Sequence, residues 1–271
     1  MCVVKGGVRK LRIGLALGAG GAKGMAHLAF LQAMEDLGVR PTIISGCSIG
    51  ALIGAYYAAG LSPKDINSIL LDIDLKDMTK FLDFSFFDSS GIIKGKGVEN
   101  FIRNTLPVHE FKELNIPLKI VATDYWKRED VIFESGDLIK PIRASISIPV
   151  LFEAVSHNDT ILIDGATTNP VPYDILKDKC DLIIAIDVTG KYTPSPTRGI
   201  SSRIEMIINT LQIMQSAIVK CKGVDTAVAI FAQPELENIN VLDFHKHEEI
   251  MLSVMPHVVK FKKDLKSKLN L

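Results

Sequence analysis

Apolar residues along this chain alternate between two rhythms. Leu11 to Leu17 reads as a short buried strand, and the glycine cluster Gly18 to Gly24 ends it. From Met25 to Leu37 the apolar positions Leu28, Leu31 and Met34 fall at helical spacing, with Gly38 as the stop. Pro41 to Ser45 reads as a second short strand, and Ile49 to Ala59 as a small-residue helix ended by Gly60. Strand, turn and helix therefore follow one another twice. That alternation predicts an α/β fold, a parallel sheet covered by helices, with functional loops at the carboxyl ends of the strands.

Ser62-Pro63 caps and starts a further helix, and the stretch from Ser68 to Gly97 reads as an excursion from the sheet. Strands are expected at Leu118 to Thr123 and, after a turn around Lys127 to Asp130, at Val131 to Glu134. Ile161 to Ile163 and Leu182 to Val188 are further apolar runs, each leading to an aspartate, Asp164 and Asp187. Gly190 to Ser202, rich in Gly, Pro, Ser and Thr, predicts a surface loop. Ile204 to Val219 is expected to be helical, Ala227 to Phe231 a last strand, and His245 to Leu269 a terminal helix broken near Pro256. One domain over 1–271 accommodates this pattern, with its motif-bearing core at about 11–190 and the remainder completing the sheet and helical layer.

Composition narrows the function. Lys plus Arg and Asp plus Glu both total 31, so net charge gives no case for a nucleic-acid partner. Cys2, Cys47, Cys180 and Cys221 lack the spacing of a disulfide framework or a zinc site, and a reducing, cytoplasmic setting is expected. Lys5, Arg9, Lys10 and Arg12 precede an apolar run, but Gly14 and Gly18 interrupt it, and no apolar stretch reaches the roughly 18 residues of a membrane span.

Three segments carry chemistry. Gly46-Cys47-Ser48-Ile49-Gly50 is a G-x-S-x-G pentapeptide between a predicted strand and a predicted helix, the context of a nucleophile elbow. Its glycines permit a turn sharp enough to project the Ser48 hydroxyl, with the Ile49 amide at a helix N-terminus facing the same space. Gly18 to Gly24 is a glycine-rich turn with two functional readings and a structural one. A dinucleotide site would need a carboxylate at the end of the second strand, and that strand leads into Ser45-Gly46-Cys47-Ser48 instead. An oxyanion hole needs only amides facing a developing negative charge; a ligand-free tight turn needs neither. Asp164-Gly165-Ala166 places a carboxylate at a strand end beside two small residues that allow close approach. A carboxyl group with an ordinary pKa of about 4 is a weak base toward a hydroxyl, so a serine and aspartate pair requires desolvation. None of the six histidines stands in a setting that marks it as the base.

Taken together, these segments resemble the patatin-like phospholipases. That family carries a glycine-rich oxyanion loop ending in Arg or Lys then Gly, a G-x-S-x-G elbow and a distant D-G-[GA] motif, matched here by Gly18 to Gly24, Gly46 to Gly50 and Asp164 to Ala166. Pro141 to Pro149 also resembles the segment that bacterial members carry between elbow and aspartate. The resemblance implies a three-layer α/β/α sandwich with a mostly parallel central sheet. It implies Ser48 as nucleophile, Asp164 as its base and the amides of Gly20 and Gly21 as oxyanion donors, with Gly18, Lys23, Gly24, Gly46, Ile49, Gly50, Gly165 and Ala166 supporting them. The implied activity is hydrolysis of fatty-acyl esters without metal or cofactor. Acyl transfer and a non-catalytic lipid- or protein-binding role on the same fold are the alternatives. Cys47 is expected to pack rather than react. Lys23 fits either an anchor for the loop or a solvated residue, and Arg143 either a structural ion pair or a group near substrate.

Two segments raise peripheral membrane contact. Phe81, Leu82, Phe84, Phe86 and Phe87 suit either a lipid-facing lid or a core. Lys260, Lys262, Lys263, Lys266 and Lys268, interleaved with Val259, Phe261 and Leu265, suit either an anionic surface or a docked helix with a solvated basic face.

Overall fold

The strands Ile13–Leu17 and Leu182–Ile186 are buried along their whole length, which is why they read as apolar runs rather than as alternating ones. In the computed structural model, residues 11–72, 95–191, 193, 203–223 and 227–271 are described. The Phe81 to Phe87 segment, the first ten residues and most of the loop from Gly190 to Ser202 lie outside them. The strands are β1 (Ile13–Leu17), β2 (Ile43–Cys47), β3 (Leu118–Asp124), β4 (Glu129–Phe133), β5 (Val155–His157), β6 (Thr160–Asp164), β7 (Leu182–Ile186) and β8 (Val228–Ala232). They form one eight-stranded sheet in the order β5-β6-β3-β2-β1-β7-β8, with β4 also paired to β3. β1 pairs in parallel with β2 and β7, and β2 with β3, whereas β4 and β6 run antiparallel to β3.

The helices are α1 (Ala26–Asp36), α2 (Ile49–Ala58), α3 (Pro63–Asp72), α4 (Gly95–Thr105), α5 (Ile139–Ser145), α6 (Arg203–Lys222) and α7 (His247–Leu269). Side chains on β1 and β7 divide by parity. Leu15, Leu17, Ile184 and Ile186 join the larger core with α1, α2 and α7, where the Phe30 and Phe261 rings meet edge-on at 5.1 Å. Ala16, Ile183 and Ala185 face the other side, under Tyr173, Leu176 and Val219.

Several expectations shift. β2 extends two residues past Ser45 and runs straight into the elbow. The expected break at Pro256 does not occur: α7 is continuous, and Pro256 sits on its exposed side, where the carbonyl that loses a partner faces water. Phe261 and Leu265 are buried and Lys262 bonds Asp36 of α1, so the basic terminal stretch is a docked helix with a solvated basic face. β6 covers the expected strand Ile161 to Ile163, whereas α5 and β5 were not legible as elements. Pro141 lies in the first turn of α5, where its missing N–H has no intrahelical acceptor to lose.

Candidate active site

Ser48 stands between β2 and α2 with φ 54° and ψ −125°, a backbone conformation that costs a non-glycine residue strain. Its neighbours make that turn possible. A Cβ on Gly50 would lie 2.2 Å from the Leu17 carbonyl oxygen, and one on Gly46 would lie 2.6 Å from Ala51 Cα. The turn is held from the side by Ser145 of α5, whose hydroxyl accepts the Ser48 amide at 2.8 Å and donates to the Val121 carbonyl at 2.6 Å. Ser145 was not singled out in the sequence; only its membership in the Pro141 to Pro149 stretch pointed toward it.

The topology of β3 delivers the carboxylate. Ile120 and Val121 pair with both β2 and β4, so those two strands occupy opposite edges of β3. Ala122 to Asp124 pair with both β4 and β6, so β6 lies on the edge that β2 has just left. Cys47 is opposite Val121 and Asp164 is opposite Ala122, and the two strands meet end to end. Ser48 Oγ consequently donates to Asp164 Oδ2 at 2.7 Å. Asp164 Oδ1 accepts the Ala166 amide at 2.8 Å, and its backbone is fixed by the Ser147 carbonyl and the Thr123 hydroxyl. Ser48 is 4% and Asp164 3% exposed. Burial pushes the Asp164 carboxyl up to about 7, against the opposing effect of its bonds from Ala166 and Ser48. The desolvation that a serine and aspartate pair requires is therefore present.

Beside this pair runs the glycine turn. The amides of Gly18, Ala19 and Ala22 donate to the carbonyls of Ile186, Pro170 and Val241. Those of Gly20 and Gly21 engage no acceptor among the described residues, and both glycines line the same small space as Ser48 and Asp164. Gly21 has φ 58°, and a Cβ there would meet the Val241 carbonyl oxygen at 2.4 Å. Beneath the turn, His27 Nε2 lies 2.8 Å from the Gly18 carbonyl and donates to it. The ring is wholly buried, its pKa is lowered by burial to about 4, and Nδ1 has no partner among the described residues. His27 is thus a neutral prop for the loop rather than a base.

The other singled-out residues have structural surroundings. Lys23 is 1% exposed, which excludes the solvated reading; burial lowers its pKa to about 8 against the pull of Asp187 and Asp243. Gly24 packs on the Ile49 side chain and Gly165 on the Val121 carbonyl. Cys47 is buried in a cluster with Ala19 and Ala166, and burial raises its thiol pKa. Among the described residues Arg143 bonds no carboxylate: it donates to the Gly95 and Glu153 carbonyls and to Ser147 Oγ. It supports the segment on which Asp164 rests. Among the described residues no histidine lines the space beside Ser48. No group of three His, Cys, Asp or Glu that could hold a metal ion occurs among the described residues.

α6 flanks the site. Ile208, Leu211, Gln212 and Gln215 line the space beside Ser48 together with Gly20, Gly21 and Asp164.

Comparison with known proteins places this chain in a family. The model of the patatin-like phospholipases matches residues 15–177. An NTE family protein of Mycobacterium tuberculosis is 32% identical over 180 residues, covering 66% of this chain and 49% of the relative. Lysophospholipase NTE1 of Phaeosphaeria nodorum is 24% identical over 262 residues, covering 88% of this chain and 17% of the relative. The chain therefore spans about half the length of the mycobacterial relative and a smaller share of the fungal one. The crystal structure of VipD from Legionella pneumophila shares the fold, with a TM-score of 0.63 at 14% identity over 94% of this chain and 67% of that one. With the family model spanning more than half of its length, the chain belongs to the patatin-like phospholipase family.

Proposed function

We propose that this protein is a serine acyl hydrolase that cleaves fatty-acyl ester bonds of lipids. The observation that carries the reading is the 2.7 Å bond from Ser48 Oγ to a desolvated Asp164, beside two amides with no other acceptor. Family membership and a relative named a lysophospholipase support lipid esters as the substrate class.

In this scheme the Ser48 oxygen attacks the acyl carbonyl as its proton passes to Asp164. The negative charge that develops on the carbonyl oxygen is stabilised by the Gly20 and Gly21 amides, an effect of roughly a hundred- to a thousandfold per donor in turnover. Collapse of the tetrahedral species expels the alcohol, which leaves with the proton held by Asp164, and the acyl group stays on Ser48. Water then attacks the acyl-serine while Asp164 takes its proton, and on collapse Asp164 returns that proton to Ser48 Oγ as the fatty acid departs. A carboxyl group with a pKa of about 7 suits this work better than an ordinary one, because its conjugate base accepts a proton more readily and about half of it is ionised at neutral pH.

The test is turnover of a panel of acyl esters by wild type, Ser48→Ala and Asp164→Asn. Both variants should fold and lose at least about two orders of magnitude in turnover. Transfer of the acyl group to an alcohol in preference to water would replace the hydrolase reading, and unimpaired turnover in Ser48→Ala would end it.

A further inference from the structure

α7 carries two apolar stripes, and only one of them packs on the core. Ile250, Val254, Val258, Phe261 and Leu265 are its buried side. Leu252, Met255 and Val259 point away from it, 74%, 49% and 67% exposed, at steps of three and four residues that keep them in one line. Exposed Glu248 and exposed Lys266 continue that line at its two ends, with exposed Glu249 and Lys263 adding to the same charges. The outer stripe therefore runs from anion through an apolar middle to cation. The helix dipole favours acids in the first turn and lysines in the last, which accounts for the charges. It gives no reason for exposed apolar residues in line between them, because a solvated helix normally carries polar groups on its outer face.

The order of these groups selects the partner. An anionic lipid surface would attract the lysine end and repel Glu248 and Glu249 at the other end of the same helix. A second α7 running antiparallel satisfies both ends at once. Glu248 lies seven residues before Met255, and Lys266 lies seven after Val259. A two-fold axis midway between Met255 and Val259 therefore sets Met255 on the partner's Val259 and Glu248 beside the partner's Lys266, each contact occurring twice. Leu252 then meets the aliphatic stem of the partner's Lys262. A parallel pair would instead oppose like charges at both ends. Beside the stripe, α1 and α7 leave an open groove lined by Leu28, Ala29, Met251, Met255 and Val258, which offers a second copy apolar surface beyond the helix itself.

We propose that two copies of this chain associate through α7, antiparallel about a two-fold axis between Met255 and Val259, with Glu248 paired to the partner's Lys266. The contact is narrow and its ion pairs are exposed, so the association is reversible and weakens as salt is added. None of these residues belongs to the site around Ser48.

The test is sedimentation equilibrium of the full chain over a concentration series, with circular dichroism as the control for folding. Wild type should show a monomer–dimer equilibrium, and Leu252→Ser/Val259→Ser should stay monomeric with an unchanged spectrum. Glu248→Lys and Lys266→Glu should each weaken the dimer by about tenfold or more. The double reversal Glu248→Lys/Lys266→Glu should restore it to within about threefold of wild type, because the two ends exchange charge together. These charge variants decide the question even if the serine variant fails to fold. Wild type that is monomeric at every concentration overturns the proposal, and its co-flotation with phosphatidylglycerol vesicles would name a lipid surface as the occupant instead. A dimer that survives in the folded serine variant also overturns it, since the interface then lies elsewhere. Loss of the dimer in both single reversals without recovery in the double one refutes antiparallel pairing.

Discussion

The Ser145 hydroxyl accepts the backbone N–H of Ser48 at 2.8 Å while donating to the Val121 carbonyl, so one buried side chain joins the elbow to β3. Ser48 sits in a strained conformation, and this bond is one of the contacts that holds it there. Ser145→Ala leaves the amide without its acceptor in a buried site, at a cost of about 1–3 kcal/mol. The expected result is a fall in kcat of about tenfold or more with KM little changed, because the ester-binding surfaces are untouched. A raised KM at normal kcat would show that Ser145 shapes binding rather than the nucleophile.

Asp164 sets the pH dependence. It accepts a proton only when ionised, and burial raises its pKa to about 7, so hydrolysis of a soluble ester should be half-maximal near pH 7. Below that point the rate should fall about tenfold per pH unit. A rate profile flat down to pH 5 would contradict the assignment.

The same shift has a thermodynamic consequence of opposite sense. With a folded pKa above the ordinary value, Asp164 contributes most to stability when protonated, and that contribution is lost as pH rises from about 4 to about 7. The Tm of Asp164→Asn relative to wild type should therefore rise across this window and level off above it. A difference in Tm independent of pH would place the raised pKa in doubt.

His27 behaves in the reverse way. Its folded pKa of about 4 lies below the unfolded one, so its contribution is fully present above about pH 6.5 and is lost as pH falls toward 4. His27→Leu removes the donor to the Gly18 carbonyl and should destabilise the protein at pH 8 by about 1–3 kcal/mol, with a lower kcat as the glycine turn loosens. The stability gap to wild type should narrow as pH is lowered through that window, measured by thermal unfolding.

Gly50 tests the packing of the elbow itself. A methyl group there points at the Leu17 carbonyl from 2.2 Å, and backbone lies on both sides of the contact. Gly50→Ala should cost about 2–4 kcal/mol in urea unfolding. A neutral substitution would mean that α2 can slide on β1.

Local chemistry was legible in the sequence, and its assembly was not. Gly46 to Gly50 and Asp164 to Ala166 announce themselves because a sharp turn and a close approach need glycine at fixed offsets. That Ser48 and Asp164 meet depends on β2 and β6 sharing one edge of β3, a long-range pairing that no window of residues encodes. Ser145 escaped notice, and the particular bond of His27 was not foreseen, for a related reason. Each acts through a single hydrogen bond to backbone, and a serine or histidine on a short or apolar helix has no local pattern that marks such a bond. α7 was expected to break because Pro256 removes a hydrogen bond, but the helix loses it on the exposed side, where water replaces the partner.

The central claim is that the Ser48 oxygen is the nucleophile, and mapping a fluorophosphonate adduct by mass spectrometry tests it most directly. Wild type should carry one adduct on Ser48, Ser48→Ala none, and Asp164→Asn should react at least about a hundredfold more slowly. An adduct on another residue, or one that persists in Ser48→Ala, would contradict it.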